Sequence, residues 1–366
     1  MLKKQLRILV APLDWGMGHV TRCIPLIRHI RSLGHEVIFA GNNAQQSFIK
    51  SIFGDIEFVY LEGYNVTYSR NRRTFLLKII GQIPSIQSSV RRERAWLSHI
   101  VKEKRLDAVI SDNRYGLFHP EIPCVILTHQ LQVLSGSGNP FDMLLLKAHY
   151  RYLEKFRECW VVDVADKKNN LSGKLGHPSV LPSMNIRYIG LLSQFATTNP
   201  SEETDEILIL LSGAEPQRSI LSEQLWKKAV TCDYHCMFVA GSEQAEIPDL
   251  VPDHITFVQR LSGSELSREI AKAAFVICRS GYSSIMDLIA LRKKGILIPT
   301  PGQTEQEYLA KRMHERGLFM KAKQTKFDID TSVVNAGLFQ FRQRAFGAAF
   351  EIHKQVLTDW LRAMER

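Results

Sequence analysis

At 366 residues the chain is longer than one hydrophobic core usually supports, so two domains of roughly 150–200 residues are expected. An apolar fraction of 45% and a charged fraction of 23% are those of an ordinary globular protein, and no run approaches the ~20 uncharged apolar residues of a membrane-spanning helix. The net charge of +10 favours anionic partners, whether phosphorylated ligands, nucleic acid or an anionic membrane face, and residues 1–163 hold 22 Lys and Arg against 14 Asp and Glu.

Taken in chain order, apolar runs alternate with helical patterns, the signature of βαβ units and a parallel sheet. The basic start before a short apolar run fits a first strand, Arg7 to Pro12, better than a signal peptide. A helix from His19 to Leu33 carries Ile24, Ile27, Ile30 and Leu33 at helical spacing and stops at Gly34. A strand at Glu36 to Ala40, a helix near Ala44 to Ser51 and a strand at Ile56 to Leu61 follow. Next comes a basic segment, Arg70 to Arg105. Short buried strands are expected at Ala108 to Ser111 and Cys124 to Thr128, a helix at Phe141 to Glu158, and a closing strand at Cys159 to Val162. Arg187 to Leu192 reads as a connecting strand, and residues 193–205 have linker composition.

The pattern then restarts. Strands are expected at Glu206 to Leu211, His235 to Ala240, Ile255 to Val258 and Ala274 to Cys278, with a helix over Ser219 to Val230 and a last helix over roughly Gln343 to Met364. The expected architecture is two Rossmann-like, doubly wound α/β domains facing across a cleft: 1–190, 191–345, and a C-terminal helix, 346–366, that could cross back to the first. In such sheets ligands collect at the carboxyl ends of strands. The six cysteines are scattered without pairs at two-residue spacing, which suggests buried or free thiols in a reducing cytoplasm and no metal site.

Motifs of chemical interest fall where these strands end. Asp14 to His19 has glycines at Gly16 and Gly18 flanking Met17 but no GxGxxG, so the dinucleotide fingerprint is absent. His19 stands at a helix N-terminus, where the dipole disfavours imidazolium and leaves a neutral ring able to accept a proton; the bland reading is a capping or packing residue. Asp112 and His129 follow strands of the same domain and are rival bases or acceptor-binding groups, with Arg114 and Gln130 beside them. Either could instead shape its loop. Residues 70–94 hold seven Lys and Arg around an apolar centre, which suits a surface dipping into an anionic bilayer, against the alternative of a core-facing helix with solvated arginines. Too few aromatics lie there for RNA binding.

In the second half, Ser212, Gly213 and Ala214 form a small-residue turn between strand and helix where backbone N–H groups can reach a phosphate, and Arg218 can add a charged contact. Arg260, after the strand at Ile255 to Val258, joins the donor-binding candidates. The stretch Cys278 to Tyr308 reads as strand end, Ser280-Gly281 turn, short helix, second strand, and a loop leading to Gln306-Glu307. Ser283, Ser284 and Asp287 share the helix face beside the apolar stripe of Ile285, Leu288 and Ile289. A carboxylate there can accept hydrogen bonds from vicinal ribose hydroxyls; an exposed Asp on a solvated helix is the alternative.

The run CRSG, the IPTPG that follows, and Gln306-Glu307-Tyr308 resemble the donor-site motif of the MurG-type glycosyltransferases, bacterial enzymes that move N-acetylglucosamine from UDP to a lipid-linked acceptor. The turn at Gly16 to His19 is similar to that family's N-terminal glycine loop, and Ser212 to Glu215 to its second-domain diphosphate loop. The resemblance implies the GT-B fold and metal-independent, inverting sugar transfer from a UDP-sugar, in cell-envelope glycan or glycolipid synthesis, by a cytoplasmic enzyme peripheral to the membrane with no cofactor. It sets Asp287 at the position of a ribose-binding glutamate, Gln306 and Glu307 at that of a Gln-Gln pair, Ser280 and Gly281 at the turn near the nucleotide, and His19 at that of the loop histidine. This chain departs in the shorter Asp287, in the charge of Glu307, and at Ser111 to Gly116 and Thr128 to Gln130, where that family has glycine-rich acceptor loops. The implication therefore covers fold and donor rather than the peptidoglycan acceptor. Rival readings are a UDP-sugar hydrolase or 2-epimerase on the same fold, a non-catalytic nucleotide-sugar or membrane-surface binder, and, behind these, a nucleic-acid binder.

Overall fold

The computed structural model describes residues 4–64, 81, 83–133, 139–195, 204–261, 263–342 and 346–365. These divide into two units, the first taking in the described residues up to 194 together with 348–365, the second 195–347.

Seven parallel strands build the sheet of the first unit: β1 (Arg7–Pro12), β2 (Glu36–Gly41), β3 (Glu57–Tyr60), β4 (Ala108–Asp112), β5 (Cys124–Thr128), β6 (Glu158–Val161) and β7 (Asn185–Tyr188), in the order β3-β2-β1-β4-β5-β6-β7. Strands such as Val109-Ile110 and Val125-Ile126-Leu127 are apolar without alternation because helices cover both faces of a parallel sheet. The covering helices are α1 (Gly18–Ser32), α2 (Asn43–Ile52), α3 (Ile83–Glu103) and α4 (Asn139–Leu153). Val90, Leu97, Ile100 and Val101 of α3 are buried, while Arg91, Arg92 and Arg94 are exposed. The described part of the basic segment is thus a core-facing helix with solvated arginines; residues 70–80 and 82 of that expectation lie outside the described residues.

The chain returns to this unit at its end. One 3-10 turn at Gly347–Phe350 precedes α10 (Ile352–Met364), so the final helix is shorter than the 343–364 expected, and 343–345 lie outside the described residues. Trp360 packs edge-on against Trp160 of β6 at 5.1 Å, and His29 Nε2 of α1 lies 2.9 Å from Thr358 Oγ1. Leu191 N–H donates to Ala349 O at 2.9 Å, which brings the two backbones together at Gly190. Its φ is +81°, and a Cβ there would stand 2.1 Å from Ala349 O, so only glycine fits. This positive φ also ends β7 early, at Tyr188 rather than Leu192. The helix expected to reach Glu158 stops at Leu153, because Glu158 is the first residue of β6 and pairs with Asn185.

The second unit has six parallel strands, β8 (Ile207–Leu210), β9 (Cys236–Val239), β10 (Ile255–Val258), β11 (Phe275–Cys278), β12 (Gly295–Leu297) and β13 (Met320–Lys321), in the order β10-β9-β8-β11-β12-β13. Its helices are α5 (Gln217–Ala229), α6 (Gly263–Lys272), α7 (Tyr282–Ala290), α8 (Thr304–Glu315) and α9 (Ile329–Leu338). Ile209, Leu221, Phe238, Ile277 and Ile296 form the heart of its core, with Trp226 edge-on to Phe238 and Phe257. Strand β13 and helices α6, α8 and α9 were not among the elements expected from the sequence.

Both sheets are wound outward in two directions from an inner pair, β1 and β4 in the first and β8 and β11 in the second. At such a reversal of strand order the two adjacent crossovers depart to opposite faces, which opens a crevice at the carboxyl ends of the inner strands.

Candidate functional site

In the first unit that crevice lies between the ends of β1 and β4, where Pro12 is paired with Asp112 and Leu13 N–H donates to Asp112 O at 2.9 Å. Leaving β1, the chain turns through Gly16, whose φ is +96°, and enters α1 at Gly18 with Met17 as N-cap and no side-chain cap on the first turn. His19 and Arg22 sit three residues apart and so project from the same side of α1, toward Asp112.

Asp112 is fully buried and is held by two groups. Arg22, only 2% exposed, donates Nε to Oδ2 at 2.8 Å and Nη2 to Oδ1 in a shorter bond, a two-pronged charged contact. His19 Nδ1 lies 3.1 Å from Oδ2. A third guanidinium nitrogen, Nη1, is 2.9 Å from Nδ1 of His129, which is 6% exposed. The three residues expected to be rivals therefore stand in one network, and Arg22, which joins them, was not singled out from the sequence. Its i+3 spacing from His19 was the available signal.

The network sets the imidazole tautomers. A guanidinium only donates, so Nδ1 of His129 is the acceptor, and neutral His129 carries its proton on Nε2. Arg22 Nη2 also approaches His19 Nδ1, at 2.9 Å. It has other acceptors, however: Asp112, and Asn113, whose amide turned with nitrogen toward Leu127 O and Thr128 Oγ1 offers its oxygen at 3.1 Å. His19 Nδ1 can then keep its proton for the carboxylate, the stronger acceptor, which places the ring's lone pair on Nε2.

Burial lowers the His19 pKa below its ordinary 6.5, and the Arg22 charge lowers it further, against the opposing pull of Asp112. Burial acts to raise Asp112, but Arg22 and His19 outweigh it and hold the carboxyl at about 2. At neutral pH the site thus contains a neutral imidazole beside a permanent carboxylate, an arrangement able to take up a proton at Nε2 and stabilise the imidazolium that results.

The acceptor-binding expectation for Arg114 is corrected. It is fully buried, with Nε donating to Pro12 O at 2.8 Å and Nη1 to Glu62 O and Glu93 Oε1 at 2.9 and 2.8 Å, so it ties loops together, and its Nη2 is buried with no hydrogen-bond partner among the described residues. Gly16, Met17 and Gly18 border the crevice. Gln130 N–H donates to Thr128 Oγ1 at 3.0 Å, beside His129.

In the second unit the chain leaves β8 through Ser212, Gly213 and Ala214, all partly or well exposed, and leaves β11 through Ser280 and Gly281 into α7. Gly213 has φ +110° with open space where a Cβ would stand. Neither α5 nor α7 has a side-chain bond from its N-cap residue, Pro216 and Gly281 respectively. By contrast, Asn42 forms a capping box with Gln45 on α2, and Asp328 accepts from Thr331 N on α9. The crevice therefore presents helix N-termini suited to an anion.

Ser283, Ser284 and Asp287 occupy the partly exposed face of α7, with Tyr282, Ile285, Met286, Leu288 and Ile289 buried behind them. Ser280, by contrast, is fully buried and its Oγ donates to Gln306 O at 2.9 Å, so its expected donor contact is corrected to a brace between the α7 turn and α8. Gln306 Oε1 accepts from Thr300 N at 3.0 Å, and its Nε2 has no partner among the described residues. Glu307 Oε1 accepts from Gly302 N at 3.0 Å, closing the turn before α8. Its charge also favours the first turn of that helix, a local reason for a carboxylate at this position. Arg218, expected at the phosphate, donates to Ala240 O at 2.7 Å and pairs with Glu215, and Arg260, a donor-binding candidate, pairs with Glu243 at 3.0 Å. Arg279, 1% exposed, bridges Gln217 O at 3.0 Å, Ile298 O at 3.3 Å and Gln324 Oε1 at 2.8 Å; it was not singled out from the sequence. Among the described residues no three His, Cys, Asp or Glu side chains gather as a metal site, and no helix is long and apolar enough to cross a membrane.

Residues 262–339 match the glycosyltransferase family 28 C-terminal domain, which spans the α7 turn, Asp287 and the Gln306-Glu307 pair. Over 291 residues the chain is 23% identical to the UDP-N-acetylglucosamine–N-acetylmuramyl-(pentapeptide) pyrophosphoryl-undecaprenol N-acetylglucosamine transferase of Clostridium botulinum, covering 77% of this chain and 75% of the relative. Among solved structures, Arabidopsis thaliana UGT89C1 complexed with UDP-L-rhamnose superposes with a TM-score of 0.64 at 10% identity over 99% of this chain and all of that one. The glycosyltransferase VinC in complex with dTDP superposes with 0.58 at 16% identity over 98% of each. The fold is GT-B, two all-parallel Rossmann-like units, and with the family 28 domain it places the chain in the class of glycosyltransferases.

Proposed function

We propose that the protein transfers a sugar from a nucleoside-diphosphate donor, UDP-linked by preference, to a hydroxyl of a glycan or lipid-linked acceptor, with inversion and without a metal. The reading rests on one observation above all: a buried carboxylate fixes a histidine at the strand-order reversal of the first unit, in a chain whose second unit carries the family 28 domain. The acceptor O–H gives its proton to His19 Nε2 while its oxygen bonds to the anomeric carbon. The bond from that carbon to the diphosphate oxygen breaks on the opposite face, and the nucleoside diphosphate departs with the electron pair. Asp112 stabilises the imidazolium so formed, and Arg22 holds Asp112 in place.

In the second unit, the uncapped turns before α5 and α7 take the diphosphate, Asp287 the ribose hydroxyls, and Gln306 Nε2 a further acceptor on the donor. The family 28 match and the uncapped helix ends support this division. The Clostridium relative's UDP donor and undecaprenol-linked acceptor support the UDP preference and an acceptor at a membrane face.

Purified protein incubated with α-linked UDP-sugars and candidate acceptors in EDTA should give a β-linked product by NMR. Strict dependence on added Mg²⁺ would remove the metal-free step, retention of the α configuration would remove inversion, and UDP release that no acceptor accelerates would favour the hydrolase or epimerase instead.

A further inference from the structure

The second unit contains a cavity of about 240 Å³ that has no part in the site just described. It lies where α7 ends and the chain turns into β12, so it opens at the amino end of that strand, whereas the donor turns leave the carboxyl ends of β8 and β11. Leu288, Ile289, Phe319 and Phe341 line its apolar part. Four cations also line it: the consecutive Arg292, Lys293 and Lys294 of the turn, and Arg342 from the segment after α9. Among the described residues no carboxylate lines it, and neither Arg292 nor Arg342 has an ion-pair partner; both are exposed at its mouth. Lys294 leans over the Phe275 ring at 5.8 Å, and Phe275 packs on Phe341 at 6.2 Å, so cations and rings form one continuous wall.

Two features set this apart from ordinary solvated charge. Arg292 has a φ of +53° just after the C-cap of α7, a position where glycine is favoured and any side chain is strained. The helix dipole rewards a cation there, Lys293 Nζ donates to Ala271 O at 3.0 Å and Lys294 lies over Phe275, but none of these accounts for Arg342, which arrives from another element. Like charges around an apolar hollow repel one another, and an anion bound at the mouth would offset that repulsion. The hollow is smaller than the roughly 300–1,000 Å³ of sites for drug-sized ligands, which suits one chain end or ring with its acidic head outside.

We infer that this cavity binds an anionic amphiphile, a phosphate or carboxylate joined to a hydrocarbon chain, with Arg292 and Arg342 on the head and Leu288, Ile289, Phe319 and Phe341 around the tail. The test is calorimetric titration of the whole protein with decyl phosphate below its micelle concentration, beside inorganic phosphate and decyl glucoside as head-only and uncharged controls. Saturable binding of decyl phosphate is expected, at least tenfold tighter than either control, and at least tenfold weaker in the R292Q/R342Q double variant. Both arginines are exposed, so an unchanged melting temperature is expected to show that the variant folds; Phe341→Ala, which shortens the wall but keeps every charge, should weaken decyl phosphate and leave inorganic phosphate unaffected. Absence of saturable binding, equal affinity for inorganic phosphate, or full affinity in both variants would overturn the site. Co-sedimentation with phosphatidylglycerol vesicles but not phosphatidylcholine vesicles, lost in the double variant, would mark a membrane lipid as the ligand, and decyl phosphate binding without vesicle binding would mark a soluble one.

Discussion

Replacing Asp112 by Asn keeps the shape of the side chain and removes its charge at the centre of the network. In the native protein the carboxyl falls from 3.8 to about 2, which at ~1.4 kcal/mol per pH unit is about 2 kcal/mol of preference for the charged form. The full loss is larger, because Arg22 at 2% exposure is left as a buried cation without its counter-charge; breaking such a pair costs about 3–5 kcal/mol. The Asn amide also offers a donor where His19 Nδ1 met an acceptor, which favours the tautomer with Nε2 protonated and removes the lone pair needed for proton uptake. General-base catalysis contributes roughly 10²- to 10⁴-fold, so kcat should fall within that range. Transfer is to be measured by UDP release at a temperature where calorimetry shows the variant fully folded, so that rate and stability separate. A folded Asp112→Asn protein within threefold of the parent kcat would refute the role given to this carboxylate. Because the folded pKa lies below the ordinary one, the stability Asp112 contributes is fully present above about pH 4 and is lost as pH falls toward 2. Denaturant midpoints across that window should slope less in the variant.

Three further outcomes are expected. His19 has its pKa lowered, chiefly by burial, so kcat should decline on acidification with a midpoint below 6.5; His19→Ala should lower kcat by about 10²- to 10⁴-fold and abolish that limb, and a limb that persists would assign the base elsewhere. Gly213→Ala imposes a side chain at φ +110°, so it should cost about 1–2 kcal/mol by calorimetry and raise the donor KM, although space for the methyl is open. Trp360, 5% exposed against Trp160, anchors α10 to the first unit, and Trp360→Ala should lower stability by about 3–5 kcal/mol in denaturant titration; a loss below 1 kcal/mol would show that α10 is dispensable to that core.

Much of the fold was legible because parallel strands covered on both faces need unbroken apolar runs such as Ile8 to Ala11 and Val125 to Leu127, and because Gly34 punctuates a helix end. The turns after the inner strands were legible where a strand ends in small or polar residues before a helix, as at Gly16 to His19, Ser212 to Ala214 and Gly281. It was not legible where a long side chain could reach in several directions. Arg114 and Arg218 carry the charge a ligand contact would need, and Ser280 the hydroxyl, yet each bonds to neighbouring groups of the fold, while Arg22 and Arg279 passed as ordinary helix and strand-end arginines.

What the amino-acid order determined by itself was local: periodicity chose helix or strand, glycines placed the turns, and the CRSG-to-QEY run carried a glycosyltransferase resemblance that the family 28 match over 262–339 bears out. Tertiary structure alone decided that His19, Arg22, Asp112 and His129 share hydrogen bonds, since Asp112 lies 93 residues from His19 and meets it only because β1 and β4 are neighbours in the sheet. It also decided which charges stay available, because burial and partnership are properties of the packed chain. A buried Asp is tolerable only beside its Arg, and that pairing, rather than either residue's type, is what leaves Nε2 of His19 able to accept a proton.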